Sequence, residues 1–467
     1  MKQHSIEQIT IMMSVLKWLF LSSVIGVVIG ASVTLFLNIL SYSEKNQSLL
    51  PFPYFYILPF ALVFSVWMVK KFAPDAEGHG TEKVIEAVHQ KEAKIDSAVI
   101  PVKLFTTVLT LFAGGSAGKE GPGAQIGAGV ASLFSDLFHF SKKDRKKLVI
   151  CGISAGFATV FGTPVAGAIF GVEVLFIGLL LYDVLLPSFI AGFSAFYTAQ
   201  YLGIDYTYFD ISFHQHVALN LPLIGQVVGA GLFFGLISDF TVTVLSNLKK
   251  AINNIKVHIY IKAFLGGAIL VGASFLVGDH YFGLGLETIE NLLQPDPYFS
   301  KDIPWYDFII KSLYTAVTLG VGGSGGIVTP LFYIGASSGH MFGMLMGNNV
   351  VLFAALGFVS VVAGATNAPI AAIIMAMELF GLEVAHYAAI SAVISFLVSG
   401  HRSVFASQIL SMRKSDSLDV SLGEEVDKSR TKMGEREQHK IDSLYERLQR
   451  KRKLRSNSPK YKKDEQI

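Results

Sequence analysis

Gly-Gly-Ser-Ala-Gly-Lys-Glu-Gly-Pro-Gly-Ala-Gln-Ile-Gly-Ala at residues 114–128 and Gly-Gly-Ser-Gly-Gly-Ile-Val-Thr-Pro-Leu-Phe-Tyr-Ile-Gly-Ala at residues 322–336 align residue for residue. Each is followed by a second matching passage, in which Glu173 or Glu378 stands nine residues after a proline. The chain therefore contains two copies of one unit. In an apolar chain, glycine and proline interruptions at corresponding places in two repeats indicate an ion site near the membrane midplane, built from broken helices.

The composition is that of an integral membrane protein. Of the 467 residues, 52% are hydrophobic and only 16% are charged, and the mean hydropathy is +0.51. A soluble chain normally carries about a quarter charged residues. The hydrophobic content predicts a lipid bilayer around the chain, and no nucleic acid is expected as a partner; the formal net charge of +3 says little by itself.

Several apolar stretches approach or exceed the length of about 20 residues that a membrane-spanning helix needs. The clearest are residues 11–40, 53–69, 224–244 and 263–277. The first run is too long for a cleavable signal peptide and lacks a small-residue cleavage site, so we expect it to be the first membrane helix. The sequence thus predicts an all-α, multi-pass membrane protein.

Two regions differ sharply in composition. A membrane body covers residues 1–410, with one repeat at about 11–200 and the other at about 222–410, and a charged tail covers residues 411–467. From residue 412 onward the tail carries 16 Lys/Arg against 11 Asp/Glu, so the positive-inside rule predicts that it is cytoplasmic. Within it, residues 442–455 have the pattern of a basic amphipathic helix, or of a solvated tail.

The glycine-rich breaks predict an anion site. A helix that begins inside the membrane presents unpaired N–H groups and the positive end of its dipole, and an anion satisfies both. Proline suits the first turn because its missing N–H needed no partner there, which fits Pro122 and Pro330. A third candidate helix start is Gly78-His79-Gly80-Thr81, where His79 is either an anion donor or a hydrogen-bonded interfacial histidine.

Glu120 lies between the glycines of the first break, where an ionisable group is costly and therefore suggests function. When ionised, its carboxylate competes with an anion for the same N–H groups, and when protonated it leaves them, so proton binding and anion occupancy are linked. The alternatives are a salt bridge with Lys119 and a helix-start glutamate held by the dipole.

Four motifs in this order resemble those of the CLC chloride channel and proton/chloride antiporter family, in its prokaryotic form without CBS domains. Gly118–Pro122 is similar to the gating-glutamate motif, with lysine in place of the usual arginine. Gly326–Pro330 is similar to the second anion motif, Gly78–Thr81 stands at the Gly-Ser-Gly-Ile-Pro position, and Ser403–Gln408 is similar to the last-helix motif. The resemblance covers the membrane body and implies two inverted-topology repeats of tilted and broken helices, in a homodimer with one pore per subunit.

The resemblance also implies the site residues. Glu120 is the expected protonatable gate. The expected anion contacts are Gly78, His79, Gly80, Gly118, Lys119, Gly121, Pro122, Gly326, Ile327, Val328 and Phe405.

Three departures from the family pattern bear on mechanism. His79 replaces the serine that binds the central anion, and Phe405 replaces the tyrosine that closes the inner side of the pore. Val174 stands where antiporters of the family carry an inner proton glutamate, although some antiporters also lack it. Glu173 and Glu378 are interpreted as buried caps or hydrogen-bonded acids, with proton relays as the alternative.

These departures favour channel-like chloride conduction that is gated by voltage or pH through Glu120, with proton-coupled chloride exchange as the alternative. Fluoride export is a further alternative, because one branch of the family that this chain resembles exports fluoride. Members of that branch carry a Gly-Asn-Gly or Gly-Met-Gly motif and an acidic residue at the position of Ile327, and this chain has neither. The expected ligands are chloride or other small anions, with protons in the coupled case, and the expected location is the cell (inner) membrane.

Hypotheses that the protein is an enzyme, a metal-binding protein or a purely structural protein fit the sequence poorly. A phosphate-binding loop fails because Ala113 and Glu120 stand where Gly and Ser/Thr are required. Ser337, Ser338 and His340 lie close together as in an intramembrane hydrolase, but such small-residue runs are ordinary in packed membrane helices. No Cys/His cluster indicates a metal, and no cofactor is expected. A purely structural membrane protein would not need Glu120 between two glycines.

Overall fold

The computed structural model describes residues 2–209, 221–294, 303–347, 349–429 and 431–434. Helices dominate these residues. Those of the first repeat are α1 (Lys2–Lys45), α2 (Leu58–Phe72), α3 (Thr81–Gln90), α4 (Val99–Phe112), α5 (Glu120–Leu137), α6 (Lys142–Phe161), α7 (Pro164–Glu173) and α8 (Tyr182–Tyr201). Those of the second are α9 (Leu221–Asn254), α10 (Ile259–Val277), α11 (Leu286–Leu293), α12 (Asp307–Gly320), α13 (Val328–Met346), α14 (Val350–Thr366), α15 (Pro369–Phe380) and α16 (Ala385–Val398).

The remaining regular structure is short. Turns of 3₁₀-helix cover Asn46–Leu49, Tyr54–Ile57, Pro74–Ala76 and Leu382–Val384, and the two-residue strands are β1 (Phe176–Ile177), β2 (Ile409–Leu410), β3 (Leu418–Asp419) and β4 (Lys432–Met433). β1 pairs in parallel with β2, and β3 pairs antiparallel with β4. The prediction of an all-α membrane fold is confirmed, and the strands serve only to fasten segments together.

Within the described residues, four helical segments are long and apolar enough to cross a membrane: Ile6–Leu49, Tyr54–Phe72, Leu221–Asn254 and Ile259–Val277. They contain or closely match the four stretches expected from hydropathy. The first is the long α1, as expected of a first membrane helix. The helices around the two glycine motifs are shorter or interrupted, as a site built from broken helices requires.

Small residues allow the helices of each repeat to approach closely. A Cβ on Gly127 of α5 would collide with the carbonyl oxygen of Gly152 on α6, and a Cβ on Gly335 of α13 would collide with that of Gly357 on α14. In membranes such contacts supply the packing that apolar burial cannot, because lipid is as apolar as the helix surface. The same packing therefore occurs at matching places in the two repeats.

The packed body extends past the boundary predicted at residue 410. Leu410 N donates to Glu424 O at 2.9 Å, and Gly423 N donates to Leu410 O at 2.7 Å, while Val420 packs with Leu410, Ile177 and Phe396 in a small apolar cluster. Backbone pairing and one buried valine, neither of which gives a hydrophobic pattern, hold this polar segment in place. Residues 411–429 of the predicted tail therefore pack against the body, and residues 435–467, including the helix expected at 442–455, lie outside the described residues.

The same end of the molecule collects several segments, and we call it the tail face. It is formed by residues 406–429 and 431–434 and the segments they meet. Gln90 at the end of α3 donates a hydrogen bond to Glu425, and Ser411 N donates to Ile177 O at 3.0 Å. Lys142 at the start of α6 pairs with Glu92 at 2.6 Å, which places the α5–α6 connection on the tail face as well.

Candidate functional site

The two glycine motifs meet at the centre of the body. Gly118 N donates to Gly326 O at 2.8 Å, and Gly326 N donates to Gly118 O at 2.6 Å, which forms an isolated antiparallel bridge. α5 begins two residues after Gly118, and α13 begins two residues after Gly326. The predicted half-helix starts therefore lie side by side, joined by this antiparallel bridge.

Threonines of the opposite repeat hold each motif in place. Ser116 N donates to Thr318 Oγ1 at 3.2 Å, and Ser324 N donates to Thr110 Oγ1 at the same distance. Both serines and both threonines are buried. Since these irregular loops lie inside the body, their polar groups need such partners, and the matching bonds make the site a product of both repeats.

The Glu120 carboxylate binds the helix start of the other repeat. Glu120 is 1% exposed, its Oε1 accepts from Val328 N at 2.5 Å, and its Oε2 accepts from Thr329 Oγ1 at 2.7 Å. It therefore occupies the place where the N-terminus of α13 would hold an anion. This arrangement differs from the Lys119 salt bridge and from a glutamate that caps its own helix.

Lys119 contributes charge beside the site. Its ammonium group interacts electrostatically with Glu44 and Glu290 as well as with Glu120. Ile327, the N-cap residue of α13, is 2% exposed. Pro122 and Pro330 are each the third residue of their helix, within the first turn as expected.

The Gly78-His79-Gly80 motif joins the same centre. Gly78 and Gly80 have φ of +77° and +83°, which favour glycine, and Gly80 is the N-cap of α3. A Cβ on Gly80 would lie 2.5 Å from Gly121 O, and one on Gly121 would lie 3.0 Å from the Cα of Gly326. Three predicted motifs thus converge within contact distance, so only glycine fits where their backbones touch.

His79 and Phe405 face each other where the family has a serine and a tyrosine. Their ring centroids are 5.7 Å apart, and Phe405 is fully buried. The His79 Nδ1 atom is buried and has no hydrogen-bond partner among the described residues. Phe405 adds no donor, so the donors around the site are backbone N–H groups, the Thr329 hydroxyl and His79.

Val174 is buried at the C-terminal end of α7. Its carbonyl accepts a hydrogen bond from Gln408 Nε2 at 2.8 Å. The side chain is apolar and has no solvent exposure, so this position cannot exchange protons. Any proton route to the tail face must use another group.

Glu173 and Glu378 cap each other's helices. Glu173 accepts from Ile370 N at 3.1 Å and Ala371 N at 2.8 Å, at the start of α15. Glu378 accepts from Val165 N at 3.0 Å and Ala166 N at 2.8 Å, at the start of α7. Both are hydrogen-bonded capping acids in the structure, which is the first of the two interpretations made from sequence.

Sequence reasoning missed three features of the site. Thr329 was not singled out, although a hydroxyl in the first turn of a half-helix is a natural donor. Lys103 Nζ donates to Ala76 O at 3.2 Å and Gly78 O at 2.5 Å, and Lys311 Nζ donates to Tyr281 O and Gly283 O at 3.0 Å. Extending the repeat alignment upstream would have found these lysines, because each stands eleven residues before its glycine motif.

The third missed feature is a second Gly-X-Gly turn. Gly283 and Gly285 have φ of +61° and +72°, and Gly285 is the N-cap of α11, as Gly80 is of α3. Leu284 stands where the first repeat has His79. The turn is therefore repeated, but the polar side chain occurs in one copy only.

Comparison with known proteins finds relatives of this chain. The family model described as "Voltage gated chloride channel" matches residues 60–400. A protein of Pseudomonas syringae pv. tomato named "Chloride/fluoride channel protein" is 35% identical over 409 residues, covering 86% of this chain and 88% of that protein.

Solved structures share the fold of this chain. A CLC-type fluoride/proton antiporter superposes with a TM-score of 0.79 and 31% identity, covering 85% of this chain and 98% of the other. A slow cyanobacterial Cl⁻/H⁺ antiporter superposes with a TM-score of 0.70 and 21% identity, covering 82% and 94%. At that lower identity, the second likeness concerns the fold.

Proposed function

The chain belongs to the voltage-gated chloride channel family, whose members are transporters and channels rather than enzymes, and we propose that it exchanges a small halide anion for protons. It is an integral membrane anion transporter. The proposal depends mainly on the Glu120 carboxylate, which accepts hydrogen bonds from Val328 N and the Thr329 hydroxyl.

Those two donors can hold either the carboxylate or a permeant anion. Protonation removes the negative charge of Glu120, so the neutral acid binds the donors more weakly and an anion can replace it. When the proton leaves, the Glu120 carboxylate regains its charge, binds the two donors again and displaces the anion. A site that holds a proton and an anion in this linked way provides the first half of an exchange cycle.

Fluoride is the anion we propose first. The solved relative that shares 31% identity is a fluoride/proton antiporter, and the relative at 35% identity has both chloride and fluoride in its name. The donors that contact the Glu120 carboxylate are one backbone N–H group and one hydroxyl, which suit a small, strong hydrogen-bond acceptor. His79 stands in place of the Gly-Asn-Gly or Gly-Met-Gly residue, so fluoride recognition would proceed with a histidine at that turn.

A passive, pH-gated channel is the second candidate. The buried Val174 cannot carry protons, and the relative at 35% identity is named a channel. In such a channel Glu120 would still open and close the site by protonation. The two candidates differ only in whether protons cross the whole protein.

Purified protein in liposomes separates the candidates. Anion efflux and lumenal pH are recorded together under an outward fluoride gradient, and then under a chloride gradient, with the membrane potential clamped near zero. Uphill proton movement driven by the anion gradient supports exchange. Anion loss without proton movement contradicts it and supports the channel.

Glu120→Gln tests the role of the carboxylate. The amide cannot be ionised, so we expect anion transport that no longer depends on external pH and no longer moves protons. The same paired recordings, repeated over a series of external pH values, measure both effects. A steep pH dependence in this variant would remove Glu120 from the gate.

We also propose that the tail face is cytoplasmic and that the protein forms a homodimer in the cell (inner) membrane. Lysine and arginine gather at the tail face, in agreement with the positive-inside rule. They include Lys91, Lys94, Lys142, Lys143, Arg145, Lys146 and Lys147. Protease accessibility from each side of sealed vesicles tests the orientation, and the mass of the detergent-solubilised protein tests the dimer.

A further inference from the structure

Glu82 is a partly buried carboxylate near the tail face for which the site described above gives no role. It lies in the first turn of α3, three residues after His79. Its Oε1 accepts from Ser407 N at 3.0 Å and from Ser407 Oγ at 2.6 Å. Its Oε2 is also buried, but no group within the described part of the chain bonds to it.

A buried carboxylate oxygen without a partner costs folding free energy, so packing alone does not explain it. The Nδ1 atom of His79, one turn earlier, is unpartnered in the same way. These two buried polar atoms, His79 Nδ1 and Glu82 Oε2, lack partners within the described residues, so both are free to bind a proton or a water molecule. The His79 backbone also touches Gly121, next to Glu120, so the start of α3 lies between Glu120 and Glu82.

The groups that face Glu82 come from three parts of the chain. Lys83 lies on its own helix, Lys249 lies near the end of α9, and both interact with the carboxylate electrostatically. Ser407 approaches from the last segment. Lys249 is exposed, so the surroundings of Glu82 reach toward solvent. Burial favours the protonated acid, while the lysines and Ser407 favour the carboxylate.

We propose that Glu82 is the carboxylate through which protons enter and leave on the tail-face side, in place of the missing acid at Val174. The inference rests on the proposed exchange function. In one cycle the Glu120 carboxyl group gives its proton to one ring nitrogen of His79, the other ring nitrogen gives a proton to the Glu82 carboxylate, and Glu82 releases it to solvent on the tail-face side. The cycle closes when the Glu120 carboxylate takes a new proton from solvent on the opposite side and the His79 ring turns back to its first tautomer, so one proton crosses and no other atom is transferred.

The test compares Glu82→Gln with the matched control Glu86→Gln. Glu86 lies one turn further along α3 and pairs with Lys83 at 2.9 Å, so its replacement changes charge on the same helix, next to Lys83, while the Glu82 carboxyl group and its bonds to Ser407 stay in place. Anion and proton fluxes are measured together in liposomes. We expect the proton-to-anion ratio to fall by about tenfold or more in Glu82→Gln and to stay at the wild-type value in Glu86→Gln.

The outcomes are distinguishable. If the wild type moves anions without protons, the proposed exchange function fails and the inference fails with it. If the wild type is coupled and Glu82→Gln keeps the wild-type ratio, only the inference fails.

If Glu82→Gln transports neither ion, Ser407→Ala decides. This variant keeps the carboxylate but removes a donor to its charged form, so the midpoint of the dependence on tail-side pH should move up by roughly 1 pH unit. An unchanged midpoint would overturn the proposal.

Discussion

Thr329→Val tests the competition at the centre of the site most directly. The substitution keeps the shape of the side chain and removes the hydroxyl that donates to Glu120 Oε2 at 2.7 Å. The second contact, from Val328 N to Oε1 at 2.5 Å, comes from the backbone and stays. The variant therefore removes one of the two hydrogen bonds described for the docked carboxylate.

The expected size of the shift in the pH midpoint of anion flux follows from the charge of the acceptor, the Glu120 carboxylate. A hydrogen bond to a charged group contributes about 1.5–3 kcal/mol, and about 1.36 kcal/mol corresponds to a tenfold change in an equilibrium. Because the lost bond stabilised the ionised, docked form, protons should open the site more easily. We expect the midpoint of the external-pH dependence of anion flux to rise by roughly 1–2 pH units.

The measurement is anion efflux from liposomes as a function of external pH. Thr159→Val is the matched control, because Thr159 is equally buried and its hydroxyl donates to Ala155 O within its own helix. It should leave the midpoint unchanged. A Thr329→Val midpoint equal to that of the wild type would refute the idea that this hydroxyl holds Glu120 in the anion site.

Two further predictions concern stability. Glu173→Gln and Glu378→Gln should each lower the free energy of unfolding by about 1–2 kcal/mol, because one of two capping oxygens is lost; similar falls in the unfolding temperature would support matched roles, and strongly unequal falls would contradict them. Burial lowers the pKa of Lys414 to about 7. Since the unfolded lysine binds protons up to its ordinary value of 10.5, docking of residues 411–434 should strengthen as pH rises from 7 to 10.5. Limited proteolysis should show this trend in the wild type and not in Lys414→Met.

Much of the fold could be predicted because glycine and proline indicate directly where a helix begins or the backbone turns. The motifs at residues 114–128 and 322–336 indicated two half-helix starts, and these pair through Gly118 and Gly326. The four spanning segments followed from length and hydropathy. These features depend on local sequence, so one sequence was enough to find them.

Other features depend on contacts that no local pattern encodes. The bond between Glu120 and Thr329 joins residues 209 positions apart, and a threonine in a first helical turn is unremarkable by itself. Glu82 lies in an amphipathic segment whose charged residues are expected to be solvated. The docking of residues 411–434 depends on backbone pairing with Leu410 and on Lys414, which donates to Phe396 O at 2.5 Å.

The two repeats supply the same scaffold but different side chains, and that difference has a functional consequence. Matching loops, caps and lysines place backbone donors symmetrically, so the scaffold alone treats both sides of the membrane alike. The ionisable residues break this symmetry: Glu120 matches Val328, and His79 matches Leu284.

Glu82 matches Glu287 in the same register, but Glu287 is exposed whereas the Oε2 atom of Glu82 is buried, and Val174 matches Leu379. In the proposed exchange cycle, the proton path therefore runs through the first repeat, from Glu120 toward Glu82. The anion in that cycle is held by backbone N–H groups and needs no such asymmetry. The proposal places coupling where the two paths share a residue, and Glu120 is the residue in both.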